Sequence, residues 1–194
     1  MRQICRVNRR NLSSNIRSAL SFSPSVVVTG TSRTCDLDRP TGKTTAVLND
    51  FAPAAESEGL RVEYFNIGMG LRFSQRQQTF RLLAVNMMEA ARLLDKPADI
   101  FILNRAFHLF GPPGSSVYME EMRPHVGGVW EAAGRAADRG SQFVFISSIH
   151  PGHRYFMLFE KFPSSALFTR APILEFKPAG MMRRIISSFT EILP

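Results

Sequence analysis

Thr41-Gly42-Lys43-Thr44-Thr45 follows about a dozen residues after the apolar run Val26-Val27-Val28, and no other feature restricts the fold as much. The apolar run reads as a buried strand, and Gly-Lys-Thr-Thr as a loop handing over to a helix. Strand, loop and helix start in that order form a cradle for a polyphosphate. Backbone N–H groups at the helix N-terminus meet the phosphates, the lysine reaches the β/γ oxygens, and the next hydroxyl holds Mg²⁺.

The spacing departs from the full P-loop pattern. That pattern has a glycine five residues before Gly42, where this chain has Leu37. The glycine closing the strand is Gly30, so 11 residues, Thr31 to Thr41, stand where the pattern has about four. The alternative is an ordinary loop-to-helix junction with a capping threonine. On the P-loop reading the nucleotide contacts are Gly30, Gly42, Lys43, Thr44 and Thr45, with Thr44 the Mg²⁺ ligand and ATP the expected nucleotide.

A chain of 194 residues, 44% apolar, suits one domain with a full core. No apolar run reaches the length of a membrane span, so a soluble protein with no membrane partner is expected. Cys5 and Cys35 offer neither a disulfide framework nor metal spacing, which fits a reducing, cytoplasmic setting. The net charge of +8 is concentrated at the start: Arg2, Arg6, Arg9, Arg10 and Arg17 precede any acid. Without them the chain is only mildly basic, so nucleic acid is not an expected partner. The basic stretch reads as a disordered arm over residues 1–24, or as an organelle transit peptide, which is not favoured. The nucleotide-binding domain is expected over residues 25–194.

Strands are predicted at Val26–Thr29, Arg61–Ile67, Ala98–Asn104, Gln142–Ile149 and Ile173–Phe176. Helices are predicted at Lys43–Glu58, Gln75–Leu94, Val117–Asp138 and Ala179–Ile192. Three strands are continuous apolar runs (VVV, IFIL, FVFI), as in a parallel sheet covered on both faces. The expected fold is therefore α/β: a three-layer sandwich with a mainly parallel sheet of about five strands, the P-loop NTPase fold.

Val26-Val27-Val28-Thr29-Gly30, Gly42-Lys43-Thr44-Thr45 and the stretch from Leu48 through Gly59-Leu60-Arg61-Val62 resemble the first strand, helix and second strand of thymidylate kinase and related nucleoside and nucleotide kinases. Ile100-Phe101-Ile102-Leu103-Asn104-Arg105 resembles the strand that carries that family's Asp-Arg motif. The resemblance implies transfer of the ATP γ-phosphoryl group to a nucleoside monophosphate or similar small acceptor. It makes Lys43 and Arg105 catalytic, with Arg105 holding the acceptor, and makes Arg154 a lid arginine; Arg135 and Arg139 are weaker lid candidates. Asn104 stands where the family has an acid and cannot act as a base at neutral pH. Asp36 and Asp38 are weak substitutes. A second copy of the chain is an open partner.

Other clusters carry less. Gly111-Pro112-Pro113-Gly114 lacks a lysine and reads as a turn. Phe107, His108 and Phe110 either line an acceptor pocket or pack in the core. His150 and His153 flank a Pro-Gly turn without further metal ligands. The rival to a kinase is a catalytically inactive nucleotide-binding or scaffold protein, favoured by Asn104 and the long loop; a partitioning-type ATPase is disfavoured because residues 31–41 contain no lysine or glycine.

Overall fold

A computed structural model describes residues 4–30, 42–68, 76–110, 116–147 and 162–177. Six strands form one sheet: β1 (Ile4–Val7), β2 (Ser25–Gly30), β3 (Val62–Asn66), β4 (Ile100–Asn104), β5 (Gln142–Ser147) and β6 (Ile173–Phe176). Their order is β1-β6-β2-β5-β4-β3, and every neighbouring pair is parallel. Five were expected. The sixth is β1, an edge strand whose side chains alternate and so give no continuous apolar run.

Strand alternation sends side chains to two separate cores. Val26, Val28, Ile100, Ile102, Val144 and Ile146 pack under α1 (Leu12–Leu20) and the helical run that begins at Lys43. Val27, Phe101, Leu103, Phe143 and Phe145 pack under α4 (Arg76–Leu94) and α5 (Ser116–Asp138). The three-layer α/β sandwich follows from strands that are apolar on both faces.

The helix expected over 43–58 is present in three pieces. Lys43–Ala46 (α2) leads into a π turn, Val47–Phe51, and then Ala52–Ser57 (α3). Pro53 accounts for the wide turn: it has no N–H to donate, and its ring crowds the carbonyl four residues earlier.

Residues 4–20 are folded, which corrects the expectation of a disordered arm. β1 pairs with β6 from Ile4↔Ile173 to Val7↔Phe176, and α1 buries Leu12, Ile16, Ala19 and Leu20. Three of its four arginines meet acids elsewhere in the fold. Arg9 makes a two-pronged contact with Asp50 at 2.8 and 3.0 Å, Arg17 bonds Glu58, and Arg6 lies 3.7 Å from Glu175. Half-exposed pairs like these add little stability each, but they explain why a basic segment docks here.

No helix among the described residues is long and apolar enough to cross a membrane. The helix predicted over Ala179–Ile192 lies outside the described residues.

Candidate functional site

In a parallel sheet, ligands gather outside the carboxyl ends of strands where neighbouring connections leave on opposite faces. β2 leads to α2 on one face. β5 leads on towards α6 (Ala166–Thr169), whose Phe168 packs in the core on the other face. The crevice therefore opens between β2 and β5, where Thr29 faces Ser147 in register. Both are fully buried, and the Thr29 hydroxyl has no hydrogen-bond partner among the described residues. An orphaned buried hydroxyl at a switch point marks a place where a polar ligand or water belongs.

Gly42, Lys43 and Thr44 open the helical run beside this crevice. Gly42 has φ of 76°, a left-handed conformation that favours glycine, and a Cβ there would meet nothing within 4 Å among the described residues. Lys43 follows with only 7% exposure, and burial pushes its ammonium down to about 8. Thr45 is exposed on the outer side of the turn, while Gly30 ends β2, buried and paired with Phe176.

Asn104 closes β4 and joins this helix start. The Thr44 hydroxyl donates to Asn104 Oδ1 at 3.2 Å, and the Arg105 N–H donates to the same oxygen at 2.9 Å. Asn104 Nδ2 donates to the Tyr64 hydroxyl at 3.1 Å and to Asn66 Oδ1 at 3.4 Å. The side chain is buried and engaged at both ends. Arg105 takes φ of 56°, unusual for a non-glycine residue, as the chain turns out of β4 into a 3₁₀ turn, Ala106–Phe110.

His108 lies in that turn, 4% exposed, its ring centroid 4.1 Å from that of Phe107. Burial and the neighbouring Arg105 hold its pKa down at about 3, so it is neutral at ordinary pH. It packs so closely on Gly68 that a Cβ there would fall 2.1 Å from His108 Cδ2. His108 is thus a packing residue beneath Arg105, not the wall of an acceptor pocket.

The arrangement suits a polyphosphate better than a metal ion. A left-handed glycine, a buried cation and a helix start are what phosphate oxygens require. Mg²⁺ prefers carboxylates together with phosphates, whereas Thr44 and Asn104 are neutral, and the described residues contain no cluster of acids, histidines or cysteines able to hold a metal.

Sequence reasoning brought together Gly42, Lys43, Thr44 and the end of β4. Arg135 and Arg139 are elsewhere: Arg135 pairs with Asp95 at 2.9 Å, and Arg139 donates to the Leu94 carbonyl at 2.6 Å. Both fasten the end of α5 to the end of α4. Arg154, Asp36, Asp38, His150, His153, residues 31–41 and the Gly111–Gly114 turn lie outside the described residues. Thr29, Ser147, Tyr64 and Asn66 were missed. The signal for two of them was present: each apolar run closes on a polar residue (VVVT, IFILN, FVFIS).

No protein-family model and no curated protein matches the chain. Among solved structures it is similar to domain III of the Thermotoga maritima replication initiation protein DnaA. The TM-score is 0.54 and the identity 15%, over 96% of this chain and 76% of that one. Weaker likenesses are to a DNA replication initiation factor (TM-score 0.49, 15% identity, 94% of this chain) and the Aeropyrum pernix ORC2 protein in ADPNP–ADP complexes (0.48, 16%, 94%). The chain spans half the length of each of these two. The DnaA likeness and the sheet topology give the chain the P-loop NTPase fold. They do not support membership of the thymidylate kinase family, whose resemblance rested on two short motifs.

Proposed function

We propose that this chain is a nucleotide-binding P-loop domain that takes the phosphates of ATP or ADP at Gly42, Lys43 and Thr44. The observation that carries the proposal is the burial of Lys43 directly after the left-handed Gly42, beside the carboxyl ends of β2 and β4. Lys43 supplies the charge, the N–H groups of the helix start supply directed donors, and Thr29 and Ser147 floor the crevice. A Mg²⁺ ion arriving with the nucleotide would neutralise phosphate charge, held by Thr44 and the phosphate oxygens.

Turnover is disfavoured. Asn104 occupies the end of β4 where the kinase resemblance expects an acid, and an amide takes up no proton at neutral pH. Binding without efficient hydrolysis or transfer is therefore the leading reading. Transfer of a γ-phosphoryl group to a nucleoside monophosphate is the second, favoured by Arg105: its planar fork suits an acceptor phosphate, and phosphoryl transfer depends mainly on positioning.

Calorimetric titration of the full chain with ATP and with ADP, in Mg²⁺, tests the binding site. Binding is expected to weaken by at least about tenfold in Lys43→Ala, a loss of about 1.4 kcal/mol or more. Equal affinity in wild type and Lys43→Ala would refute the site.

A further inference from the structure

A cavity lies at the end of the sheet where the strands begin, away from the Gly42–Thr44 crevice. Its volume is about 410 Å³, within the range of small-molecule sites. Ser25, the first residue of β2, lines it and is buried, its hydroxyl donating to the Leu167 carbonyl. Pro24, Ala166, Leu167 and Ala171 supply apolar wall, and the last turns of α5 supply the facing side.

Two lining residues carry opposite charges. Asp138 ends α5 and Arg170 follows α6, and among the described residues neither side chain has an ion pair or hydrogen bond, not even with the other. The nearby cations on α5 are engaged elsewhere: Arg135 pairs with Asp95, and Arg139 donates to the Leu94 carbonyl. The Ser164 hydroxyl lines the same cavity and is also without a hydrogen bond among the described residues. It sits so close to α5 that a Cβ on Gly134 would collide with its oxygen. Glycine inside a helix weakens that helix; here it admits the 3₁₀ turn Pro163–Ser165 and keeps the hydroxyl at the cavity wall.

We infer that this cavity binds a small aliphatic zwitterion of the amino-acid class, Arg170 taking its carboxylate, Asp138 its ammonium and the apolar wall its hydrocarbon. The planar fork of a guanidinium matches a carboxylate with two parallel N–H···O bonds. A carboxylate in turn accepts from the three donors of an ammonium. A ligand with a single charge engages only one of the two residues, so the pair selects for both charges on one molecule. The site does not rest on the nucleotide-binding reading. It lies at the first residue of β2, and the crevice lies beyond the last, about 16 Å away by the rise of a strand.

The test is titration of isotope-labelled full-length protein with L-leucine and with ε-aminocaproate, followed by amide chemical shifts. At least one of the two is expected to give saturable shifts at residues 23–25, 134–138 and 164–171, with a dissociation constant below about 1 mM. A response to leucine selects α-amino acids and a response to ε-aminocaproate selects charges at opposite ends of a chain; either supports the site. Arg170→Gln and Asp138→Asn should each weaken that binding at least about tenfold, and caproate and hexylamine, with one charge each, should bind at least about tenfold more weakly than the zwitterion. Neither side chain has a partner to lose among the described residues, so both variants should melt at the wild-type temperature. No saturable shifts from either zwitterion up to about 20 mM would overturn the inference. So would binding indifferent to both substitutions, or equal binding of caproate or hexylamine.

Discussion

The Thr44 hydroxyl donates a hydrogen bond to Asn104 Oδ1 across 3.2 Å, tying the start of one helix to the end of a strand 60 residues further along the chain. Neither residue is committed by its own neighbours to meet the other. The sheet order brings them together, with β5 alone standing between β2 and β4.

That bond is measurable by a double-mutant cycle. Thr44→Val should cost about 1 kcal/mol, and Asn104→Ala about 2–3 kcal/mol because it strands the Arg105 N–H and Thr44 together. The double variant should fall short of the sum by about 0.5–1 kcal/mol in urea denaturation. Strict additivity would mean the two side chains do not interact.

Burial of the Lys43 ammonium costs the ligand-free protein stability. Its folded pKa, about 8, lies below the 10.5 of a free lysine, so between those values the unfolded chain binds more protons and stability rises with pH. Lys43→Met should raise stability at pH 7 by about 1–3 kcal/mol and flatten the rise from pH 8 to 10. Chemical denaturation across that window checks both; an unchanged slope would place the lysine in water.

Arg105 is held left-handed at φ of 56°. Arg105→Gly relieves a strain of about 1–2 kcal/mol, offset by about 0.5–1 kcal/mol of glycine's extra chain entropy. A small net gain in melting temperature is expected, against a clear loss in Arg105→Val, whose branched side chain tolerates this conformation least. The reverse ranking would contradict the backbone geometry.

The His108 ring leaves no room for a side chain at residue 68. Gly68→Ala should destabilise by about 1–3 kcal/mol, and His108→Ala in the same chain should recover part of the loss. Thermal melts of the two single variants and the double would show it; no recovery would mean the clash is with something else.

His108 also sets an acid limit. Its folded pKa of about 3 lies below the ordinary 6.5, so the unfolded chain binds more protons between these values and stability falls as pH drops through them. The slope is at most about 1.4 kcal/mol per pH unit from this residue. In His108→Gln the slope between pH 6 and 4 should be visibly shallower; identical slopes would rule His108 out as its source.

Much of this fold is legible in the chain's own residue pattern. The runs around Val26–Val28, Ile100–Leu103 and Phe143–Ile146 are strands because a strand buried on both faces must be apolar at every position, a signal contained within the run itself. The Gly42-Lys43 junction is legible for a similar reason: a left-handed glycine and a helix start are local conformations. β1 is not, because Arg6 interrupts its apolar pattern and only pairing with β6, in the last described part of the chain, makes it a strand. The arginines of the first segment read as a free basic arm until the fold sets Asp50, Glu58 and Glu175 against them.

The sequence by itself determined the alternation of strands and helices, the two-faced burial of the sheet and the residue types at the helix start, since each depends on side chains within a turn or two. Only the tertiary structure decided that Lys43 is desolvated, that the Asn104 amide is locked by four partners, and that Arg135 and Arg139 brace α5 against α4. Those properties depend on which distant residues the sheet order makes neighbours, and on how much water the packing around them excludes.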